Sequence, residues 1–134
     1  MTDASRIIAG VVLLTVVTIE FGGYFLTLVV RGAVPLTPFQ TAFARAGHAH
    51  AGVLVIFSLV GLLMADAAGL HGFWGWVGRL GIPIAAILMS GGFFASSAGK
   101  GDITKPNQAI VILWIGALSL AVGTLTLGIG LLAA

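Results

Sequence analysis

The sequence predicts an all-α integral membrane protein, a single domain in which a bundle of four helices crosses the bilayer. The chain has 134 residues, of which 59% are hydrophobic and only 7% are charged. Soluble domains are roughly 45–50% apolar and roughly 25% charged. The few charges lie between long apolar runs, which is typical of multi-pass proteins. Four of these runs reach the length of about 20 residues that a bilayer core of roughly 30 Å requires.

The first helix is predicted over residues 7–30 and ends before Arg31. Arg6 followed by an apolar stretch also resembles the start of a cleaved signal peptide, which is the rival interpretation. The apolar run, however, continues past Glu20 to Val30 and has no convincing small-x-small cleavage site. We therefore expect a membrane-spanning helix.

The second helix is predicted over residues 38–69 and has a clear N-terminal signal. Thr37 can cap the helix, Pro38 suits the first helical position, and Gln40 can complete a capping box. This helix is longer than a bilayer requires, so we expect it to tilt or to begin in the interface.

The third and fourth helices are predicted over residues 79–98 and 107–133. The connection before the third helix contains Trp74 and Trp76, which we expect to anchor the protein at the membrane–water interface. The connection before the fourth helix is the most polar stretch of the chain, and Pro106 near its end suits the start of a helix.

The chain contains 20 glycines, which indicates close contact between helix backbones. Lipid gives no hydrophobic drive for helix association, so small residues and tight packing must supply it. Gly116, Ser119 and Gly123 recur at helical spacing on helix four, as do Gly47 and Ala51 on helix two, with Gly52 next to them. We expect these residues to pack within the bundle or between the subunits of a homo-oligomer.

Several function classes are disfavoured by the composition. The absence of Cys excludes disulfides, thiolate metal ligands and a cysteine nucleophile. The net charge of +2 comes from scattered basic residues, so no nucleic-acid partner is expected. No phosphate loop, activated nucleophile or carboxylate pair is present, so an enzyme is the less favoured interpretation.

Basic residues in the connections favour an orientation with both termini outside the inner membrane. More of them lie on the side of the first and third connections than on the side of the termini. The first group is Arg31, Arg45, Lys100 and Lys105, and the second is Arg6 and Arg79.

Ionisable residues inside the predicted spans indicate a functional site. Glu20 lies about 16 Å along helix one from Arg31, near the middle of the membrane. A carboxylate there costs several kcal/mol unless it is protonated, paired or hydrated. Tyr24 follows one turn later on the same face. If the membrane begins near Pro38, His48 lies about 15 Å deep and level with Glu20, but a boundary nearer Arg45 would weaken this match.

His48 and His50 differ by two residues, or about 200° around a helix, so they face opposite sides and cannot chelate one ion together. We expect His48 to face the bundle interior. Glu20, His48 and His50 are the candidate metal ligands, and Tyr24 and Arg45 join them as candidate contacts of a cofactor. Asp66 and His71, by contrast, are expected to be a solvated helix end and a turn residue.

The stretch Arg45-Ala-Gly-His-Ala-His-Ala-Gly52 resembles the second helix of subunit I of haem-copper oxidases and nitric oxide reductases. In that family an Arg- and His-containing segment supplies a haem ligand, so the resemblance implies haem b with His48 or His50 as axial ligand. The resemblance is confined to this helix, and the family's downstream metal-ligand helices have no counterpart here. In that family this helix starts from the outer face, opposite to the orientation that the charges favour. The rest of the chain resembles small bacterial four-helix membrane proteins.

The expected partner of the protein is the lipid bilayer. Three functions remain open for it. The preferred function is the binding of haem b or a transition metal ion at a Glu/His site. The second is proton-linked transport of ions or small solutes along a polar lane formed by Glu20, Tyr24, His48 and Ser90. The third is an accessory role in a larger membrane complex.

Overall fold

A computed structural model describes all 134 residues as four antiparallel helices and no strand. The helices are α1 (Asp3–Val30), α2 (Pro38–Ala67), α3 (Gly72–Ser97) and α4 (Ile110–Ala133). Each is long and apolar enough to cross a membrane. The predicted fold class is confirmed, and its features are those of a multi-pass membrane protein.

The capping box predicted at the start of α2 is also confirmed. Thr37 Oγ1 accepts a hydrogen bond from Gln40 N at 3.2 Å, and Gln40 Oε1 accepts one from Thr37 N at 3.1 Å. The Gln40 side chain also donates to the carbonyls of Ser97 and Gly99, at 3.0 and 3.2 Å. The start of α2 is thereby tied to the end of α3.

Two helices begin earlier than predicted. α1 begins at Asp3, because Thr2 Oγ1 accepts a hydrogen bond from Ser5 N at 3.3 Å and caps the helix. α3 begins at Gly72, so Trp74 and Trp76 lie within its first turns and not in a connection. An apolar run marks the hydrocarbon region, whereas the helix continues through the interface as long as its backbone groups are paired.

α4 begins later than predicted, at Ile110. Asn107 is held in the connection, because its backbone N donates to Ser96 O at 2.8 Å and its side-chain Nδ2 donates to Ala95 O at 2.9 Å. These bonds fix Asn107 to the end of α3, and the helix starts only after them.

α3 and α4 form the tightest pair in the bundle. A methyl group added at Gly81 would lie 2.5 Å from Gly123 Cα, which means that the two backbones touch. Ser119 Oγ donates across the same interface to Gly81 O at 2.8 Å, and Gly116 packs against Met89. The close packing predicted for helix four is confirmed. Gly52, by contrast, faces open space.

α1 lies at the edge of the bundle. It packs on α2, touches α3 slightly and does not contact α4. Only 6% of its most apolar stretch is buried, compared with 56% for α3. The core is formed by α2, α3 and α4 and contains Leu54, Ala65, Ile82, Ala85, Ala86, Met89 and Leu127.

Candidate functional site

His48 lies between α2 and α1, against two consecutive glycines. A methyl group at Gly22 would lie 3.2 Å from His48 Nδ1, and one at Gly23 would lie 3.4 Å from its Cε1. The glycine pair thus leaves a notch in α1 that the imidazole fills. Neither ring nitrogen of His48 forms a hydrogen bond, and neither is completely buried. The notch was not predicted, although two adjacent glycines within a membrane helix are a visible signal of it.

His50 points to the other side of α2, towards α3. Its Nδ1 lies 2.8 Å from Ala46 O, and since a carbonyl can only accept, Nδ1 carries the proton. The tautomer assigned in this way leaves the Nε2 lone pair free. The ring packs on Phe93, with 4.9 Å between ring centroids.

The two histidines therefore lie at different helix interfaces, as the spacing of two residues predicts. His48, predicted to face the bundle interior, packs against α1, and both histidines are half-buried. α3, which His50 faces, is the most enclosed helix, whereas α1, which His48 faces, is at the edge. No group of three or more His, Asp or Glu side chains comes together that could hold a metal ion.

Glu20 lies nearly level with His48, as predicted, but points in a different direction. His48 lies beside Gly22, within one turn of Glu20, so the two residues are nearly level. Glu20 itself is exposed and forms no hydrogen bond or ion pair. It precedes Gly22 by two residues, or about 200° around the helix, so when Gly22 faces α2 the carboxyl must face away.

The intrachain site of Glu20 with a histidine is consequently not formed, and neither is the polar lane. Glu20 and Tyr24 share the outer face of α1 with Val17 and Phe21, around a shallow cleft of about 230 Å³. Ser90 lies in α3 instead, with its hydroxyl buried and unpaired. Arg45 is exposed and forms no ion pair.

The strongest polar cluster lies at the other end of the bundle, at Asp66. Its Oδ1 accepts hydrogen bonds from Arg79 Nη2 at 2.8 Å, from Ser5 Oγ at 2.8 Å and from Thr2 Oγ1 at 3.0 Å. Its Oδ2 accepts one from Thr2 N at 2.8 Å. All four contacts come from donors, as a carboxylate requires. The expectation that Asp66 is a solvated helix end is wrong.

Arg79 completes this cluster from α3. Its Nε donates to Ser5 Oγ at 2.9 Å, and its Nη1 donates to the carbonyls of Leu70 and Gly75, both at 3.0 Å. Ser5 is fully buried and Arg79 is 8% exposed. We call these four residues, Thr2, Ser5, Asp66 and Arg79, the polar clamp, because they join the ends of α1, α2 and α3.

One signal for the clamp is visible in the sequence. Asp66 and Arg79 have opposite charges and lie near the ends of two helices joined by a short turn. Arg79 lies seven residues, or about 10 Å, into α3, and its long side chain reaches back to Asp66. The participation of Ser5 has no comparable signal, since it depends on where α1 packs. Because nearly all polar atoms of the clamp are already hydrogen-bonded, its chemistry is structural, and it offers no open position to a ligand.

Two further clefts are lined mainly by apolar residues. One has a volume of about 460 Å³ and lies on the outer surface between α3 and α4. A second, of about 250 Å³, lies between α1, α2 and α3. Neither is lined by a histidine.

The fold and the polar clamp thus define a multi-pass α-helical membrane protein. No protein-family model matches the chain, and neither a curated protein nor a solved structure shows significant similarity to it.

Proposed function

We propose that the protein binds haem b within the membrane, with His50 Nε2 as an axial ligand. The observation that carries this proposal is the hydrogen bond from His50 Nδ1 to Ala46 O, at 2.8 Å. A ligating histidine commonly donates its other ring N–H to a carbonyl or carboxylate, which fixes the tautomer and makes the ligating nitrogen more basic. The neighbouring Phe93 ring restrains the imidazole from the α3 side.

The number of available side chains favours haem b over a bare metal ion. A transition metal ion usually needs three or four protein ligands, and no such group comes together in the chain. The porphyrin supplies four nitrogens itself, so that one or two axial side chains are sufficient. The resemblance of the stretch from Arg45 to Gly52 to a haem-bearing helix points in the same direction.

Proton-linked transport has less support from a single chain, because Glu20 and Tyr24 lie on the outer face while Ser90 is inside the bundle. We further propose the bacterial inner membrane as the location, since proteins of the outer membrane span it as β-barrels.

An absorption spectrum of the protein, purified in detergent from cells supplied with a haem precursor, tests the proposal. We expect a Soret band together with one haem per chain or per pair of chains. His50→Ala should abolish the band. His48→Ala is the matched control, because His48 is also half-buried on α2 but faces α1, and it should retain the band. A colourless wild-type protein, or a band that persists in His50→Ala, would overturn the proposal.

A further inference from the structure

Glu20 is an unpaired acceptor on the outer surface of the bundle, within the membrane-spanning part of α1. It lies ten residues before the end of α1 at Val30, about 15 Å at 1.5 Å per residue. An ionisable side chain at that depth normally faces a partner or a water-filled cavity. No donor of its own chain reaches it, so any side-chain partner has to come from outside the chain.

The contacts between helices show which residues share the depth of Glu20. On α2 this level is close to His50, because His48 contacts Gly22 of α1. On α3 the level is close to residue 91, because Gly47 of α2 packs against Phe93 of α3 and His50 lies three residues further along the antiparallel helix.

The same reasoning extends to α4. A methyl group at Gly92 of α3 would lie 2.5 Å from Leu113 N, so these two residues are level. Trp114 is the next residue, and it therefore lies at the depth of Glu20 to within about one helical turn, or about 5 Å.

Trp114 carries the hydrogen-bond donor that Glu20 lacks within its own chain. Its side chain is on the outer face of α4 and the residue is 65% exposed. The indole nitrogen is a donor only, and it forms no hydrogen bond within the chain. Trp114 lies four residues, or about 6 Å, after the start of α4 at Ile110, and tryptophan is common near the ends of membrane helices. α1 and α4 do not touch each other, so both faces remain available.

We propose that Glu20 of one copy accepts a hydrogen bond from the indole N–H of Trp114 in a second copy, across a head-to-tail interface between α1 and α4. α1 and α4 cross the membrane in opposite directions, which fixes the register of this interface. Tyr24 then lies beside the partner's Val111, and Val17 lies beside the partner's Leu118.

The exposed fractions of the side chains on α1 and α4 agree with this register. Val17, Phe21 and Tyr24 of α1 are all more than half exposed, as are Val111, Ile115 and Leu118 of α4. Both sets recur every three to four residues, so each can form one stripe along an antiparallel helix pair. Glu20 also borders the shallow cleft of about 230 Å³ on α1, which can receive a side chain. Because the two faces differ, the contact repeats from copy to copy and closes into a ring where the rotation permits.

Cysteine cross-linking in native membranes tests the register, because the natural chain has no Cys. The double variants Val17→Cys/Leu118→Cys and Tyr24→Cys/Val111→Cys should form disulfide-linked dimers and higher species upon oxidation. The mismatched control Val17→Cys/Val111→Cys is displaced by about 10 Å and should remain monomeric. Dimers formed by Val17→Cys alone would indicate an α1–α1 contact and overturn the proposal, as would the failure of both matched pairs.

Substitutions of the two polar residues test the hydrogen bond itself. Glu20→Leu and Trp114→Phe should each raise the dissociation constant of the oligomer by about tenfold. Glu20→Gln keeps an acceptor oxygen and should stay close to the wild type. Unchanged helical content by circular dichroism excludes misfolding of the variants. An oligomer that is insensitive to both Glu20→Leu and Trp114→Phe would contradict the proposal, whatever the haem content.

Discussion

Asp66 and Arg79 form an ion pair of 2.8 Å between consecutive helices, with side chains that are only 14% and 9% exposed. Ser5 of α1 bridges them, since its hydroxyl donates to Asp66 and accepts from Arg79. The edge helix α1 is thus attached to the bundle by a buried polar contact at one end and by the His48 notch further along. The apolar surface of α1 contributes less to this attachment, because Val12 is the one apolar residue of α1 that is buried.

Breaking the ion pair should be strongly destabilising. We expect Asp66→Asn to lower the free energy of unfolding by about 3–5 kcal/mol, because Arg79 would keep a buried charge without its partner. Thermal unfolding in detergent measures this effect. Asp3→Asn is the control, since it removes the exposed pair with Arg6 and should have almost no effect. Equal stability of the two variants would show that Asp66 is not held as the structure indicates.

The contact between α3 and α4 should not tolerate a methyl group. Gly123→Ala would place its Cβ 2.9 Å from Gly81 Cα, and we expect a loss of about 1–3 kcal/mol from overpacking. Gly128→Ala is the matched control on the same helix, where nothing lies within 4 Å, and it should be neutral or slightly stabilising. Unfolding curves recorded in one detergent compare the two variants. The prediction fails if their order is reversed.

Removal of the Ser90 hydroxyl should not destabilise the protein. Its Oγ is the one buried side-chain polar atom without a hydrogen-bond partner, so Ser90→Ala removes an uncompensated polar group and is expected to be neutral or stabilising. Ser58 is the control, because its buried hydroxyl donates to Leu54 O at 2.7 Å, and Ser58→Ala should cost about 0.5–1.5 kcal/mol. A clear loss in Ser90→Ala would instead reveal a ligand or water that pairs with this hydroxyl.

The ion pair between Asp66 and Arg79 also strengthens the prediction that both termini lie outside the membrane's cytoplasmic side. The charge of Arg79 is neutralised by the buried contact with Asp66, so it should not be counted among the loop charges, and Arg6, in an exposed pair with Asp3, remains as the one basic side chain to count near the termini. We expect a Cys at Ala134 to react with a membrane-impermeant maleimide in intact spheroplasts. A Cys at Asp102 should react only after permeabilisation. The opposite labelling pattern would place both termini in the cytoplasm.

The number of helices and the capping of α2 could be predicted from the sequence, because both depend on local patterns of hydrophobic and capping residues. Helix ends were less predictable. Trp74 and Trp76 belong to a helix that continues into the interface, where hydropathy no longer marks it. The level of Glu20 relative to His48 followed from counting residues, since the rise per residue of a helix is fixed.

The direction of Glu20 could not be predicted, because α1 is apolar on every side and no polar face fixes its rotation. What fixes the rotation is the fit of Gly22 and Gly23 against His48, which is a property of two helices together. The polar clamp was missed for a related reason. Asp66 and Arg79 each resemble an ordinary helix-end charge until Ser5 is brought onto them by the packing of α1.

The separation in sequence between the members of the polar clamp has a consequence for biosynthesis. Ser5 emerges from the ribosome 61 residues before Asp66 and 74 before Arg79. The leading segment must therefore wait in the translocation machinery or the lipid, with its hydroxyls unsatisfied, until the third segment has been made. Nascent chains arrested before Arg79 should consequently be the ones that quality-control proteases remove.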